Sequence, residues 1–450
     1  MDVNGKTAIV IGLGRSGVAA ARVLLARGAK VIANDTAAIE KWSPAARALE
    51  AEGATLVPGG HHHADFANAD LVVISPGVPG FAALDAFEAT GREVIGEMEL
   101  GARLVKAPIV LIGGTNGKST TTGLVGEIFQ KSGAKTFVGG NFGAPLCEAV
   151  DEAWDWVVLE ISSFQAERVP TLHARAHALL NITDDHLDRY PGFAAYAEAK
   201  GNPFARMTAD DVAVIPAGDP LVQRQASRGK ARQVTFGAGA PEADVTLEGD
   251  VIRDKISGAS YPISLLHIAG RHNLENACAA IALTASMGVA PDAIAAGLAS
   301  FEGLGHRTAL VAEIGGVRFY DDSKGTNVGA SVAALRGLSE PKAVLIAGGR
   351  DKLGAYGPLV DALREKGRGL VVIGEAAQRI AAAAQGAVPI QRAGSMAEAV
   401  EKAARMAQEG DAVLLSPACS SFDMFRDYKD RGDAFVRAVQ DLAQRSGACS

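Results

Sequence analysis

A segment rich in glycine with one lysine, GGTNGKST at residues 113–120, has the residue types that bind a nucleoside triphosphate. It lies between an apolar run and a helix-forming stretch, and backbone amides at such a turn can surround phosphate oxygens. Lys118 can reach the β- and γ-phosphates, and a hydroxyl that follows it can hold Mg²⁺. The segment is shorter than the full GxxxxGK[ST] pattern, because Ile112 stands five residues before Gly117. We predict an ATP site formed by Gly114, Thr115, Asn116, Gly117, Lys118, Ser119 and Thr120.

A second glycine loop, GLGRSG at residues 12–17, fits the GxGxxG pattern between a strand and a helix, and Asp35 ends the next apolar run. Such a loop suits a pyrophosphate, and the acid suits a ribose or a base edge. From this loop alone a nicotinamide-dependent oxidoreductase is the first expectation, and glycines used only for close packing are the alternative. A dehydrogenase has no use for the loop at 113–120. An enzyme that holds a nucleotide-carrying substrate apart from ATP needs both loops.

Acids and a histidine follow two further apolar runs. Glu160 ends the run 156–159, and an acid at the carboxyl end of a strand beside a phosphate loop can coordinate Mg²⁺. The segment NITDDHLD at 181–188 places His186 among acids on the same rim, although a solvated, capped turn is the alternative. Lys200, considered alone, has the position of an ordinary surface lysine on a helix. The polar segment GRHNLEN at 270–276 either caps a helix or faces a base.

Histidines and cysteines do not predict a metal centre or a disulfide. The three histidines at 61–63 have no companion ligands at useful spacing, so a loop is expected there. The cysteines are scattered without a CxxC pair, which favours free thiols in a reducing compartment. They are Cys147, Cys278, Cys419 and Cys449.

Apolar runs that alternate with helical stretches predict parallel strands with crossover helices, arranged in three consecutive blocks. Between about 233 and 268 the pattern changes to short alternating segments, which favours antiparallel hairpins beside the main sheet. The predicted strands are Thr7–Ile11, Lys30–Ala33, Asp70–Ile74, Ile109–Ile112, Trp156–Leu159, Ala176–Leu180, Val317–Tyr320, Ala343–Ala347, Leu370–Ile373 and Ala412–Leu415. The predicted helices include Val18–Ala26, one that follows the 113–120 loop through Gln130, and Asn273–Met287.

The composition fits a multidomain cytoplasmic protein. A chain of 450 residues is too long for one ordinary core and suits two or three domains. The formal charge of −7 gives no electrostatic reason to expect nucleic-acid binding. The N-terminus lacks the features of a signal peptide, and no apolar stretch reaches the roughly 18 residues of a membrane span.

Eight short motifs, taken in their order along the chain, resemble those of the Mur ligases. They are GTNGKST, LEISSFQ, NITDDHLDRY, GRHNLEN, GLGHR, YDDSKGTN, AGGRDK and LLSPACSSFDMF. Within that family the chain resembles the D-glutamate-adding branch, through GLGRSG, GEMEL at 96–100 and GGNFG at 139–143. The resemblance implies three α/β domains. They are a Rossmann-like domain at 1–96 that binds UDP, an ATP-binding domain at 97–303 with a mostly parallel sheet and a small antiparallel sheet, and a Rossmann-like domain at 304–450 that receives the amino acid.

The implied activity is ATP-dependent joining of D-glutamate to UDP-N-acetylmuramoyl-L-alanine through an acyl phosphate, in peptidoglycan precursor synthesis. The implied cofactor is Mg²⁺, and the implied partners are small molecules bound by a monomer. Another Mur-type ligase with a different amino acid is the nearest alternative. A folylpolyglutamate synthase would not need the N-terminal domain, and an oxidoreductase or a non-enzymatic nucleotide-binding regulator would be alternatives of other classes.

The resemblance also implies roles for individual residues. Lys118, Glu160, His186, Lys200 and Lys324 would be catalytic. Mg²⁺ would be held by Ser119, Thr120, Glu160, His186 and Lys200, the last as a carbamate. ATP would further contact Asn273, Arg307 and Asp322. The UDP substrate would contact Arg15, Ser16, Asp35, Thr36, Gly77, Asn141 and His186. D-Glutamate would contact Thr326, Lys352, Ser421 and Tyr428.

Two positions depart from the family pattern. Lys200 is followed by Gly201-Asn202-Pro203, and a glycine followed soon by a proline should end or bend the helix that carries the lysine. Tyr428 stands where the family usually has phenylalanine, which keeps the ring and adds a hydroxyl.

Overall fold

The N-terminal part of the protein is a parallel sheet with its helices packed on both faces. The computed structural model describes residues 1–186, 189–268, 270–352, 355–445 and 447. In chain order its first elements are β1 (Thr7–Ile11), α1 (Arg15–Ala26), β2 (Lys30–Asn34), α2 (Pro44–Ala48), β3 (Thr55–Val57), β4 (Leu71–Ile74), α3 (Ala82–Ala89), β5 (Glu93–Gly96) and α4 (Glu97–Ala102). The strand order is β3-β2-β1-β4-β5, with every pair parallel. Strands covered on both faces need continuous apolar runs, and β4, with the sequence LVVI, is buried along its whole length.

A nine-stranded sheet forms the middle of the molecule. Its elements are β6 (Ile109–Gly113), α5 (Lys118–Lys131), β7 (Thr136–Gly140), β8 (Trp156–Glu160), α6 (Ser163–Ala166), β9 (Ala176–Leu179), α7 (Phe193–Gly201), β10 (Val212–Pro216), α8 (Pro220–Ala226), β11 (Arg232–Gly237), β12 (Val245–Glu248), β13 (Val251–Asp254), β14 (Ser260–Pro262), α9 (Arg271–Ser286) and α10 (Pro291–Ser300). The order is β14-β13-β12-β11-β10-β9-β6-β8-β7. Because β8 and β9 flank β6, the loops that follow these three strands meet at one edge of the sheet.

The antiparallel segment predicted between about 233 and 268 begins later than expected. β11 pairs in parallel with β10, and β12 pairs in parallel with β11. Among the described residues of this sheet, only the pairs β12–β13 and β13–β14 are antiparallel, and they continue its edge. The alternating pattern of short runs therefore indicated the hairpins correctly, while the apolar run in β11 belongs to the parallel part.

The C-terminal part contains a six-stranded sheet. Its elements are β15 (Ala309–Ile314), β16 (Val317–Asp321), α11 (Val328–Gly337), β17 (Ala343–Gly348), α12 (Gly357–Lys366), β18 (Gly367–Ile373), α13 (Ala377–Ala383), β19 (Ile390–Arg392), α14 (Met396–Met406), β20 (Ala412–Leu415) and α15 (Tyr428–Arg445). The order is β15-β16-β20-β17-β18-β19, and within the part of the chain that the structure describes only β15 runs antiparallel to its neighbour. Buried apolar clusters cover both faces of this sheet.

The start of α1 and the end of α7 were both predicted from the sequence. The helix predicted from Val18 begins at Arg15, within the glycine loop itself. The helix that carries Lys200 ends at Gly201, as predicted, and continues as a 3₁₀ helix over Asn202–Arg206. Lys200, the residue before the last one of this helix, is buried. Within the described residues, no helix combines the length and the apolar character that a membrane crossing requires.

Candidate active site

A cavity of about 990 Å³ lies between the central and C-terminal sheets. The carboxyl ends of β6, β8 and β9 supply one wall, and residues after β16 supply the other. The predicted site residues that line it are Thr115, Asn116, Gly117, Lys118, Ser119, Thr120, Asn141, Glu160, His186, Lys200, Asn273, Arg307, Asp322, Lys324, Thr326 and Lys352. Predicted site residues as far apart in the sequence as Thr115 and Lys352 therefore line the same cavity.

The glycine-lysine loop has a backbone conformation that requires glycine at position 117. Gly117 has φ +84°, and a Cβ there would lie 2.2 Å from the Oδ1 atom of Asn276. Asn181, at the end of the β9 strand, accepts hydrogen bonds on Oδ1 from the backbone N–H groups of Thr115 and Asn116, at 3.1 and 2.9 Å. These hydrogen bonds fix the loop in front of the N-terminus of α5, where backbone N–H groups favour the binding of an anion.

Lys118 and Glu160 place opposite charges at the centre of this wall. The Nζ atom of Lys118 donates to the carbonyl oxygen of Thr115 at 2.9 Å. Ser119 donates its hydroxyl to Glu160, and Asn141 donates to the same carboxylate at 2.5 Å. Burial opposes ionisation of Glu160, but the positive charge of Lys118 and the two hydrogen bonds outweigh it and hold its pKa below the ordinary value. Glu160 therefore presents a carboxylate with a lowered pKa at the cavity wall.

Lys200 lies beneath the loop. Its side chain is buried, with Nζ donating to the carbonyl oxygen of Gly114 at 2.6 Å and lying 4.6 Å from the centre of the Tyr196 ring. Burial lowers the pKa of Lys200 well below its ordinary value, and the nearby charge of Lys118 adds to the fall. The helix α7 is rich in alanine on all sides, so its sequence gave no sign that the face with Lys200 is buried.

His186 and Asp185 follow β9 at the mouth of the cavity. His186 has a backbone φ of 54°, which is uncommon outside glycine, and its ring packs edge-on against Phe164 at 4.8 Å. The Oδ2 atom of Asp185 lies 3.7 Å from the Nε2 atom of His186, and the same carboxylate contacts the C-terminal part of the chain. Its Oδ1 atom is 3.2 Å from the Nζ atom of Lys352, and its Oδ2 atom accepts from Asn327 at 3.1 Å.

The C-terminal wall supplies cations and one protonatable acid. Lys324 stacks on the ring of Tyr428, with Nζ 4.0 Å from the ring centre. Burial, together with the charge of Arg307, lowers the pKa of Lys324 to about 8. Burial raises the pKa of Asp322 to about 7, although a hydrogen bond from Ser416 at 2.6 Å favours the charged form. Of these groups, Arg307 and Lys324 can offset the charge of a phosphate chain that lies across the cavity.

The residues predicted to bind D-glutamate divide into two groups. Thr326 and Lys352 line the cavity, whereas Ser421 and Tyr428 lie outside its lining. Ser421 is buried next to Phe422, which does line the cavity. Tyr428 contributes through its contact with Lys324. The structure thus places Thr326 and Lys352 in the lining of one cavity, and Ser421 and Tyr428 outside that lining.

The residues predicted to bind the UDP moiety surround the first glycine loop, on a different sheet. Asp35 accepts hydrogen bonds from the backbone N–H of Leu13 and that of Ala37, at 2.8 and 2.9 Å, which fixes the loop. Arg15 pairs with Glu148 at 3.0 Å and donates to the carbonyl oxygen of Gly143 at 3.1 Å. Within the predicted set, Ser16 is half-buried and Thr36 and Gly77 are exposed.

The three glycines of this loop have different uses. A Cβ at Gly12 would lie 2.7 Å from Val78, and one at Gly17 would lie 1.9 Å from the carbonyl oxygen of Gly12. Close packing therefore requires these two. Gly14 lies at the start of α1, and apart from its chain neighbours no described residue has an atom within 4 Å of the place that a Cβ would take there. The loop therefore leaves room for a ligand at Gly14.

Sequence families match the chain in three consecutive segments. The Mur ligase MurD-like N-terminal domain matches residues 6–96, the Mur ligase middle domain matches 112–284, and the Mur ligase glutamate ligase domain matches 306–419. The UDP-N-acetylmuramoylalanine–D-glutamate ligase of Syntrophotalea carbinolica is 45% identical over 447 residues, which are 98% of this chain and 99% of that protein. The chain belongs to the Mur ligase family. The enzyme of the same name from Myxococcus xanthus is 42% identical, over 98% of this chain and all of its own length.

Solved Mur ligase structures share the fold. UDP-N-acetylmuramate–alanine ligase MurC from Thermotoga maritima superposes with a TM-score of 0.62 at 20% identity, covering 97% of this chain and 99% of its own. A folylpolyglutamate synthase from Mycobacterium tuberculosis, complexed with ADP, reaches 0.60 at 16% identity but covers only 76% of this chain and 92% of its own. The family assignment excludes the oxidoreductase that the first glycine loop alone had favoured.

Arg431 is a residue of this Mur ligase whose role the sequence did not reveal. It is fully buried and donates to the Oγ atom of Ser323 at 3.0 Å, to the carbonyl oxygen of Ser323 at 2.8 Å and to that of Cys419 at 3.1 Å. It therefore fixes the backbone just before Lys324 and the backbone just before Ser421. Ser323 lies about a hundred positions away from it, so spacing gave no signal.

Replacing Arg431 with methionine should lower the free energy of unfolding by about 2–4 kcal/mol, because buried carbonyl oxygens lose a charged donor. The apparent KM for the amino-acid substrate should rise more than that for ATP. Denaturant unfolding and steady-state kinetics measure the two effects. Arg437→Met, an exposed position on the same helix α15, is the control and should change neither. Unchanged stability in Arg431→Met would contradict the positioning role.

Proposed function

We infer that this protein is an ATP-dependent amide-forming ligase that joins D-glutamate to UDP-N-acetylmuramoyl-L-alanine, in the synthesis of peptidoglycan precursors. Relatives that carry the corresponding name are 42–45% identical over nearly the whole chain. The observation in the structure that best supports this reaction is one cavity with Lys118 and Glu160 on one wall and Lys324 and Lys352 on the other. One chain supplies all of these residues, which supports a working monomer.

The chemistry explains why the site needs ATP. A carboxylate does not acylate an amine, because oxide is too poor a leaving group. The terminal carboxylate of the UDP substrate therefore attacks the γ-phosphate and forms an acyl phosphate with release of ADP. The ammonium group of D-glutamate loses one proton, and the resulting amine attacks the acyl carbon. Phosphate leaves with the electrons of the broken C–O bond, and the nitrogen releases a second proton as the amide forms. The protein contributes by positioning the three reactants and by neutralising charge.

The cations of the cavity have separate tasks in this proposal. Lys118 binds the β- and γ-phosphates from the start of α5, and Arg307 and Lys324 face them from the C-terminal wall. Asn273 and Asp322 are assigned to the adenosine. The first glycine loop, with Arg15, Ser16, Asp35, Thr36 and Gly77, is assigned to the UDP moiety, and Asn141 and His186 to the path toward its reactive end. This division keeps the two nucleotides apart.

The residues present fit Mg²⁺. The described part of the chain contains no group of three or more His, Cys, Asp or Glu side chains that could hold a metal. Mg²⁺ does not need one, because it is usually held by one or two carboxylates together with water and substrate phosphates. Glu160, Ser119 and Thr120 would hold one ion, and His186 with Lys200 as a carbamate would hold a second. When bound, the ions would offset phosphate charge.

Isotope transfer tests the acyl-phosphate route. UDP-N-acetylmuramoyl-L-alanine with ¹⁸O in its terminal carboxylate should transfer one ¹⁸O atom to the released phosphate, because the attacking oxygen leaves with phosphorus. Mass spectrometry of the phosphate, with ATP, Mg²⁺ and D-glutamate present, makes the measurement. Unlabelled phosphate formed together with the amide product would contradict an acyl phosphate.

Lys352→Ala should raise the apparent KM for D-glutamate about tenfold to a hundredfold, since a carboxylate loses a charged hydrogen-bond donor. The KM for ATP should change little. Each is measured with the other substrates saturating. Lys429→Ala, an exposed lysine in the same part of the chain, is the matched control. Equal changes in both constants for Lys352→Ala would refute the assignment of Lys352 to the D-glutamate pocket.

A further inference from the structure

Asp185 and Lys352 form an ion pair that joins the central and C-terminal walls of the cavity. The two charged atoms are 3.2 Å apart, and the side chains are only 8% and 19% exposed. Asn327 supports the pair from the C-terminal side, because its Nδ2 atom lies 3.1 Å from Asp185 and 3.1 Å from the Oδ1 atom of Asn116. The pair therefore bridges the two walls of the cavity beside the phosphate loop.

Asp185 differs from the other acids that line the cavity. Glu160 accepts from Ser119 and Asn141 within the central domain, and Asp322 accepts from Ser416 within the C-terminal part. Asp219 caps α8, and Glu275 accepts from the backbone N–H of Ala238. Asp185 instead has a lysine partner from across the cavity, and the proposed reaction assigns that lysine to a substrate carboxylate. When Lys352 binds substrate, Asp185 loses its lysine partner and keeps the ring of His186, whose Nε2 atom lies 3.7 Å from its Oδ2 atom.

An α-amino acid carries both of the charges that this pair requires. We propose that Asp185 binds the ammonium group of the incoming D-glutamate, whose zwitterion inserts between Asp185 and Lys352. This inference rests on the proposed function and names a second specificity residue of the same site. The carboxylate of the amino acid takes Lys352, and its ammonium group takes Asp185. Both ions of the pair keep a partner, so a buried charge is never left alone, which would be costly.

The location of Asp185 suits this role. It directly precedes His186, and its charge acts on both Lys118 and Lys200. An amine held there lies on the side of the cavity where the acyl phosphate forms. Insertion of the zwitterion also predicts that the site prefers an amino acid over a diacid without an amino group. A pocket that contains only cations would not have this preference. A diacid without the amino group, such as glutarate, can take Lys352 only by removing the lysine partner of Asp185.

The test compares D-glutamate with glutarate in the full-length protein. With ATP, Mg²⁺ and the UDP substrate saturating, the KM for D-glutamate and the competitive inhibition constant of glutarate are measured in the wild type and in Asp185→Asn. We expect the KM to rise about tenfold to a hundredfold, because a charged hydrogen bond is lost. We expect the inhibition constant of glutarate to fall, because Lys352 is freed from its partner. The two constants should therefore move in opposite directions.

Controls separate this role from the alternatives. Asp184→Asn, at the exposed neighbouring acid, should change neither constant, and Asp185→Glu should recover part of the affinity for D-glutamate. If both constants rise together in Asp185→Asn, or if the Mg²⁺ dependence shifts while the KM does not, the proposal is wrong. Should Asp185→Asn fail to fold, Asp185→Ser is measured in the same way. Absence of D-glutamate turnover in the wild type would refute the proposed function itself, before any variant is compared.

Discussion

Replacing Lys118 with alanine should reduce kcat about a thousandfold, the size of effect expected when a preorganised charge facing the transferring phosphate is removed. Lys118 is enclosed by the loop, and its Nζ atom lies against the carbonyl oxygen of Thr115. Burial lowers the pKa of this lysine, while Glu160 and Asp185 oppose the shift. An anionic triphosphate would add further stabilisation to the charged form. Phosphate release under saturating substrates measures the effect.

The matched control for Lys118 lies on the same helix. Lys131 is the last residue of α5, is exposed, and pairs with Glu127 one turn earlier. Lys131→Ala should leave kcat within a factor of about two, since exposed pairs of this kind contribute little. If Lys118→Ala retained more than about a tenth of the wild-type rate while folded, phosphate binding would have to be assigned to other cations of the cavity.

The second large effect concerns Lys200. A positively charged lysine and a negatively charged carbamate at this position predict opposite results for replacement with arginine. A lowered pKa increases the neutral fraction of the amine, which is the form that adds CO₂ to give a carbamate. Because the carbamate is an anion, Lys200→Arg should lose activity even though it keeps a positive charge. We expect both Lys200→Arg and Lys200→Ala to lose about a hundredfold to a thousandfold in kcat, as for loss of other charge-stabilising groups.

Rescue by added acids separates the carbamate from a structural role. A small carboxylate such as acetate can enter the space left in Lys200→Ala and restore the missing anion. Activity should therefore rise with acetate in this variant, and not in Lys118→Ala. Substantial activity in Lys200→Arg, combined with no rescue of Lys200→Ala, would show that a cation is needed at this position.

Much of the fold follows from local patterns in the sequence. The strands at Thr7–Ile11 and Ala412–Leu415 have the predicted bounds, because continuous apolar runs can be satisfied only between two covering layers. The glycine-lysine loop was predicted for the same kind of reason, since its residue types and its place between strand and helix restrict its use. Glu160 was predicted from its place at the end of a strand.

The contacts between separate parts of the chain could not be predicted in this way. Lys200 has the pattern of a surface residue on an alanine-rich helix, and only the resemblance to a family gave it a role. Asp185 and Lys352 are 167 positions apart, and Arg431 lies 108 positions from Ser323. No pattern of spacing connects residues at such distances. They are brought together by the packing of one sheet against another.

The most direct test of the central claim is phosphate release with ATP, Mg²⁺ and UDP-N-acetylmuramoyl-L-alanine against a panel of amino acceptors. The panel contains L-alanine, D-glutamate, L-glutamate, L-lysine, meso-diaminopimelate and D-Ala-D-Ala. We expect release that depends on D-glutamate alone, with formation of the corresponding amide. Turnover with another member and not with D-glutamate would contradict the assigned substrate, and turnover with none would contradict the ligase activity.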